Sequence, residues 1–144
     1  SLQPPYRIFA NPQGDEDPNA EQQWSLTSVY VPREKNNLAS FVSVNSDATS
    51  EEYGKIQVLQ LSDERTNGPA LVANEIASDE DVRDEIFSFT QGGINPQYGN
   101  LLTLPVGDGL MYVQPLYARR DATDSSYPIL SFVLASFTQM TGIA

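Results

Sequence analysis

Leu101-Leu-Thr-Leu-Pro-Val-Gly-Asp-Gly-Leu-Met-Tyr-Val-Gln-Pro-Leu-Tyr-Ala118 sets the architecture of this 144-residue chain. Two apolar runs, Leu101–Val106 and Leu110–Ala118, flank Gly107-Asp108-Gly109. Strand-length apolar runs joined by a Gly/Asp turn predict a β-hairpin. The segment is the longest apolar, aromatic-rich one in the chain, so the rest is expected to pack around it. Pro105 and Pro115 each lack a ladder donor, which places each at a bulge, a strand end or an edge. Downstream, Ile129–Thr138 is apolar on both faces, the pattern of a central sheet strand, and is the expected neighbour of the hairpin.

Upstream, the period-2 pattern predicts strands at Tyr6–Ala10, Trp24–Pro32, Leu38–Val44 and Lys55–Leu61, the second and third pairing as an antiparallel hairpin. Alternation puts Trp24, Leu26 and Tyr30 on one face and Val29 and Val31 on the other. Pro69 opens a short helix, Pro69–Ala77. Ser78-Asp-Glu-Asp81 has the spacing of a capping box, with Ser78 as cap of a second helix over about Asp79–Thr90. That helix carries Val82, Ile86 and Phe89 on one stripe and stops at Gln91-Gly92-Gly93. Strands, then two helices, then strands predict an α+β fold: a mixed, largely antiparallel β-sheet with a short helical pair packed on it. The passage through the helices leaves room for a right-handed parallel crossover. Residues 1–144 are expected to form a single soluble domain excised from something longer.

Charge bounds the partners. Nineteen Asp and Glu against eight Lys and Arg leave a net charge of −11. A nucleic-acid surface needs a basic footprint, so no nucleic-acid partner is expected, and anionic membrane surfaces are disfavoured for the same reason. No apolar run reaches the length of a transmembrane helix, so this segment is not expected to insert into a membrane. The chain has no Cys and no His. Disulfides, thiolate or imidazole metal sites and Ser-His-Asp catalysis are thereby excluded, and no cofactor is expected. Carboxylates, Lys and Tyr remain available for chemistry.

Few residues group in a way that suggests a site. Asp15, Asp17, Asn19 and Glu21 alternate as in a calcium loop, but Ala20 stands where the loop needs Gly and Leu26 where it needs Glu. A solvated loop is the expectation, with Asp15 and Asp17 as weak metal candidates. Asp79, Glu80, Asp81, Asp84 and Glu85 match an exposed, capped helix start better than an acid/base pair in a cleft. Gly107-Asp108-Gly109 lacks both the third glycine and the following helix of a phosphate loop. Arg119 and Arg120 form the densest positive spot and can in principle hold a carboxylate or phosphate. Tyr98 belongs to an aromatic cluster around the hairpin that offers a surface for a partner protein. These three are the weak ligand-binding candidates.

Four blocks carry a family resemblance: Trp24–Arg33, Asn37–Asp47, Tyr53–Leu59 and Tyr98–Tyr117. In this order they resemble the UPF0182 family, large bacterial, often actinobacterial, membrane proteins of uncharacterised function. The resemblance implies a soluble portion of a chain whose N-terminal part carries several transmembrane helices, and this domain is expected outside the cytoplasm. The family label brings no reaction, cofactor or catalytic residue. The expected role is a binding or assembly domain without catalysis, its partner the rest of the parent membrane protein or another protein. The alternative is a small-ligand or carboxylate-based enzymatic domain, gathering Asp or Glu with Arg119 or Arg120 in a pocket.

Overall fold

The computed structural model describes residues 4–11, 19, 21–61, 66–107, 109–120 and 127–139. The first four strands, β1 (Tyr6–Ala10), β2 (Gln23–Tyr30), β3 (Ser40–Asn45) and β4 (Ile56–Gln60), pair in chain order as an antiparallel sheet. Helices α1 (Pro69–Ser78) and α2 (Glu80–Gln91) follow. A second antiparallel sheet is made of β5 (Ile94–Tyr98), β6 (Leu102–Val106), β7 (Gly109–Arg120) and β8 (Ile129–Gln139). The α+β class holds, as two four-stranded sheets in place of one. The helices carry the chain from the first sheet to the second, so every strand pair among the described residues is antiparallel.

The opening hairpin is β6 and β7, with β7 at the centre of its sheet. Gly107 has φ +57°, which the turn requires and which only glycine adopts without strain. Along one edge of β7 lies β8, nearly in full register. Along the other edge β5 and β6 lie end to end, β5 opposite Leu116–Arg120 and β6 opposite Gly109–Val113. Pro115 sits at the joint between them. The Gly99 N–H donates to the Pro115 carbonyl at 2.8 Å, so the Pro115 backbone points toward that joint, where no donor is needed. By ladder alternation, Pro105 and Pro96 turn their nitrogens away from β7. All three prolines therefore occupy the edge positions that chemistry demands of them.

The helices follow their punctuation with one shift. Pro69 begins α1 after Gly68. Ser78 does not cap α2, because it is still in the last turn of α1, where its hydroxyl donates back to the Asn74 carbonyl at 2.7 Å. Asp79 is the residue that leaves helical geometry, with ψ 137°, and its carboxylate accepts from the Val82 N–H at 3.3 Å. Val82, Ile86 and Phe89 are the half-buried stripe of α2, and Phe89 stacks on Phe132 of β8 at 5.5 Å. The core joins Leu38, Val72, Ile76, Leu101, Leu110 and Tyr112. A short junction underlies it. The Leu38 N–H donates to Thr66 O at 2.8 Å, the Gly68 N–H to Asn36 O at 2.8 Å, and the Tyr112 hydroxyl to Asn67 O at 2.7 Å.

One expectation about the second sheet is overturned. Ile129–Thr138 is an edge strand rather than a central one: β8 pairs with β7 alone among the described residues. Its apolar side chains are left open, with Ile129 70%, Val133 58% and Phe137 54% exposed. The pattern is that of a strand flanked on both sides, and the described residues supply one flank.

Candidate docking surface

Register fixes which side chains share a face, since directly opposed residues point the same way. In the first sheet one face carries Tyr6, Ser25, Thr27, Ser43 and Asn45. Tyr6 reaches across to β6: its hydroxyl accepts from the Thr103 N–H at 2.8 Å and donates to the Thr103 carbonyl. This is the inner face, which carries these polar groups beside Val29 and the buried Phe41. Ser25, Thr27, Ser43, Asn45, Thr103 and Gln114 are all buried. Several find partners: Thr27 Oγ1 donates to Tyr6 O at 3.0 Å, Asn45 Nδ2 to Gln23 Oε1 at 3.0 Å and Gln114 Nε2 to Gly99 O at 3.0 Å. Among the described residues, Ser25 Oγ and Thr103 Oγ1 find none. Burial pushes the Tyr6 phenol pKa up, because the phenolate would lose its hydration.

The outer faces are the apolar ones. On the first sheet Phe9 packs on Trp24 at 5.3 Å, with the Arg7 guanidinium 5.3 Å from the centre of the Trp24 ring. Leu26, Val44 and Ile56 form a row across three strands, and Val42 and Val58 form another. Trp24, Ile56 and Val58 are exposed. On the second sheet, with Tyr112 and Leu116 turned inward, the outward rows are Leu104–Met111–Phe137, Leu102–Val113–Ala135 and Pro115–Val133. No charged side chain interrupts the rows of the second sheet, while on the first Arg7 stands opposite Leu26 at the end of its row. Contiguous apolar surface of this kind on an acidic chain is the physical signature of an interaction face.

The ligand-binding candidates do not converge. Tyr98 lies opposite Leu116 and so shares the inner face at its rim, where partial burial pushes its phenol pKa up. Arg119, half-buried, lies opposite Asn95, three residues further along β7 and therefore on the other face. Of Arg120 the backbone is described, opposite Ile94. Asp15 and Asp17 lie outside the described residues. Asp79 is engaged as a helix cap, while Glu80, Asp81, Asp84 and Glu85 are exposed. Among the described residues no three carboxylates are grouped to hold a metal ion. A cleft of about 550 Å³ beside Pro32 and Leu38 takes in Glu34 and Lys35, but neither Tyr98 nor Arg119.

Sequence reasoning missed the outer faces as a site. Alternation had separated Trp24, Leu26 and Tyr30 from their neighbours, yet apolar side chains are ordinarily assigned inward. The available signal was the other half of the alternation: Ser25 and Thr27 oppose Asn45 and Ser43, so at this end of the strand pair a polar face is set against the face of Leu26 and Val44, while Val29 and Phe41 continue the polar side as apolar residues.

The chain is similar to known sequences along its whole length. The model of an uncharacterised protein family, UPF0182, matches residues 1–89. A UPF0182 protein of Nocardioides sp. is 57% identical over 136 residues, which cover 94% of this chain and 13% of that protein. One of Thermobifida fusca is 42% identical over 142 residues, 98% of this chain and 14% of that protein. The chain thus spans 13% and 14% of the length of these two relatives. No solved structure matches it.

Proposed function

The chain belongs to the UPF0182 family, and on that footing we propose that it is an assembly module of a longer membrane-anchored polypeptide. It packs against the remainder of that polypeptide through its outer sheet faces, outside the cytoplasm, and holds no catalytic centre of its own. One observation supports this reading: beyond the apolar core, both sheets carry rows of apolar side chains on their outer faces, with Trp24, Ile56, Val58, Val133 and Phe137 exposed. Covering such rows is favourable, since each large apolar side chain moved out of water contributes roughly 1.5–3 kcal/mol. The outward rows are explained if other protein covers them. The separation of Tyr98 from Arg119 on opposite faces, and the helix-capping role of Asp79, favour assembly over the carboxylate–Arg enzyme. No helix among the described residues is long and apolar enough to cross a membrane, so anchoring falls to other parts of the polypeptide.

Hydroxyl-radical footprinting tests this. Trp24 is the chain's single tryptophan and lies on one outer face; Phe137 lies on the other. Both are expected to oxidise several-fold more slowly when the chain is part of the full-length polypeptide than when it is alone. Equal rates in the two settings at both residues refute the reading.

A further inference from the structure

We infer that β8 is the acceptor of one more strand: an extended, apolar segment bearing a basic residue, supplied by the remainder of the same polypeptide. This rests on the assembly reading above and names the partner of one of its surfaces. The two edges of the second sheet are treated differently. On the β5–β6 side, Pro96 and Pro105 have no N–H to offer outward. Thr103, whose backbone also points away from β7, has its N–H and carbonyl taken by the Tyr6 hydroxyl. These are the devices by which a sheet blocks pairing at an edge. The β8 edge from Phe132 to Gln139 has none of them, the one irregularity of its ladder falling at Ser131. The Pro115 backbone faces the β5–β6 joint, so in an antiparallel ladder its opposite number Val133 also faces away from β7. Ala135 and Phe137 follow by alternation. Their N–H and carbonyl groups line an edge with no Pro, no Lys and no charged residue from Ile129 to Gln139.

The chemistry of the occupant follows from what borders that edge. A groove of about 370 Å³ runs between Val133–Ser136 and the helical pair, where Glu75, Ile76, Asp79 and Val82 form its other wall. Its lining mixes the apolar Ile76, Val82, Val133, Leu134 and Ala135 with Ser136 and two carboxylate residues, Glu75 and Asp79. An apolar strand with one Lys or Arg complements both. A second copy of this chain is a poorer occupant, because each copy carries a net charge of −11 and β8 itself contributes no basic residue. The relatives supply the length: seven-eighths or so of each lies beyond the part this chain matches.

Amide hydrogen exchange gives the test. The chain is measured alone, and again set into the full-length Nocardioides relative in place of the 136 residues it matches. The Leu134 and Ser136 amides point at β7 and are protected in both. The Val133, Ala135 and Phe137 amides are expected to exchange rapidly in the chain alone and at least about 100-fold more slowly in the full-length protein, as ladder amides do. A Val133→Pro variant removes an outward N–H, as Pro105 does naturally, and is expected to return Ala135 and Phe137 to the fast rate while Leu134 stays protected. Glu75→Gln, whose amide oxygen still accepts from Asn67, is expected to speed exchange about tenfold, the loss of about 1.4 kcal/mol. Fast exchange in the full-length protein overturns the added strand; if Trp24 and Phe137 are nonetheless shielded from radicals there, the assembly reading stands without it. Protection already present in the chain alone, rising with its concentration, assigns the edge to a second copy and overturns the proposal. Rates indifferent to Glu75→Gln overturn its basic residue.

Discussion

Tyr112→Ala is expected to lower the free energy of unfolding by about 4 kcal/mol, the scale of deleting a fully buried aromatic ring. Tyr112 has no exposed surface and packs in the core with Leu38, Leu101, Leu110 and the α1 residues Val72 and Ile76. Its hydroxyl also ties the central strand to the junction below α1 through the Asn67 carbonyl. Tyr112→Phe keeps the ring and separates the two contributions. It is expected to cost about 1–2 kcal/mol, the loss of one hydrogen bond and an acceptor left short of a donor. The pair of variants also isolates a pH effect. Burial pushes the Tyr112 phenol up to about 12 from its ordinary 10, with the charges of Tyr6 and Glu75 acting in the same direction. The folded state thus holds this proton more tightly than the unfolded chain. Its stabilising effect is fully present below about pH 10 and is lost as pH rises toward 12, about 3 kcal/mol across the two units. Urea denaturation at pH 8 and pH 11.5 reads it. The unaltered chain should lose more stability between those pH values than Tyr112→Phe does, and parallel losses would remove Tyr112 as the cause.

Gly68→Ala is the second large effect, expected to cost about 2–3 kcal/mol by forced overpacking. Gly68 has φ −77°, a conformation any residue adopts, so its requirement is one of space and not of backbone freedom. A Cβ there would collide with the Asn36 carbonyl oxygen, which accepts the Gly68 N–H at 2.8 Å, and would lie 3.3 Å from Val31 Cγ2. Moving Asn36 away disturbs the Asn37–Asn67 bridge and the Leu38–Thr66 hydrogen bond on which the junction depends. Gly54→Ala is the contrasting control. At φ +81° with open space around it, that change meets only backbone strain, about 1–2 kcal/mol. Thermal unfolding of the two variants should rank Gly68→Ala as the more damaging, and the reverse order would show that the junction yields.

How far the fold is legible depends on what each residue type constrains locally. Proline and glycine act through their own backbones, so Pro69, Gly92, the Gly107–Gly109 turn and the edge positions of Pro105 and Pro115 follow from the sequence with little help. The cap of α2 falls one residue later than its spacing implies, because Ser78 has a competing acceptor one turn back, at Asn74, that spacing does not show. The two larger surprises have a common origin. Period 2 tells which residues of β2 share a face but not which face is covered, and the ordinary preference for apolar interiors points Trp24 and Leu26 the wrong way. Likewise β8 is apolar on both faces, as strands are when flanked twice, but among the described residues it has one flank. Tyr98 and Arg119, each reasonable alone, fall on opposite faces because three residues separate the β7 positions they share.

The end-to-end arrangement of β5 and β6 along β7 has a consequence for assembly size. With that side closed by prolines and by the Tyr6 hydroxyl, the second sheet has, under the added-strand proposal, a valence of one. A sheet open at both edges adds strand after strand and grows into fibres, whereas a sheet with one open edge is saturated by a single strand. An apolar edge of 11 residues is thereby made compatible with a discrete particle, whichever chain fills it.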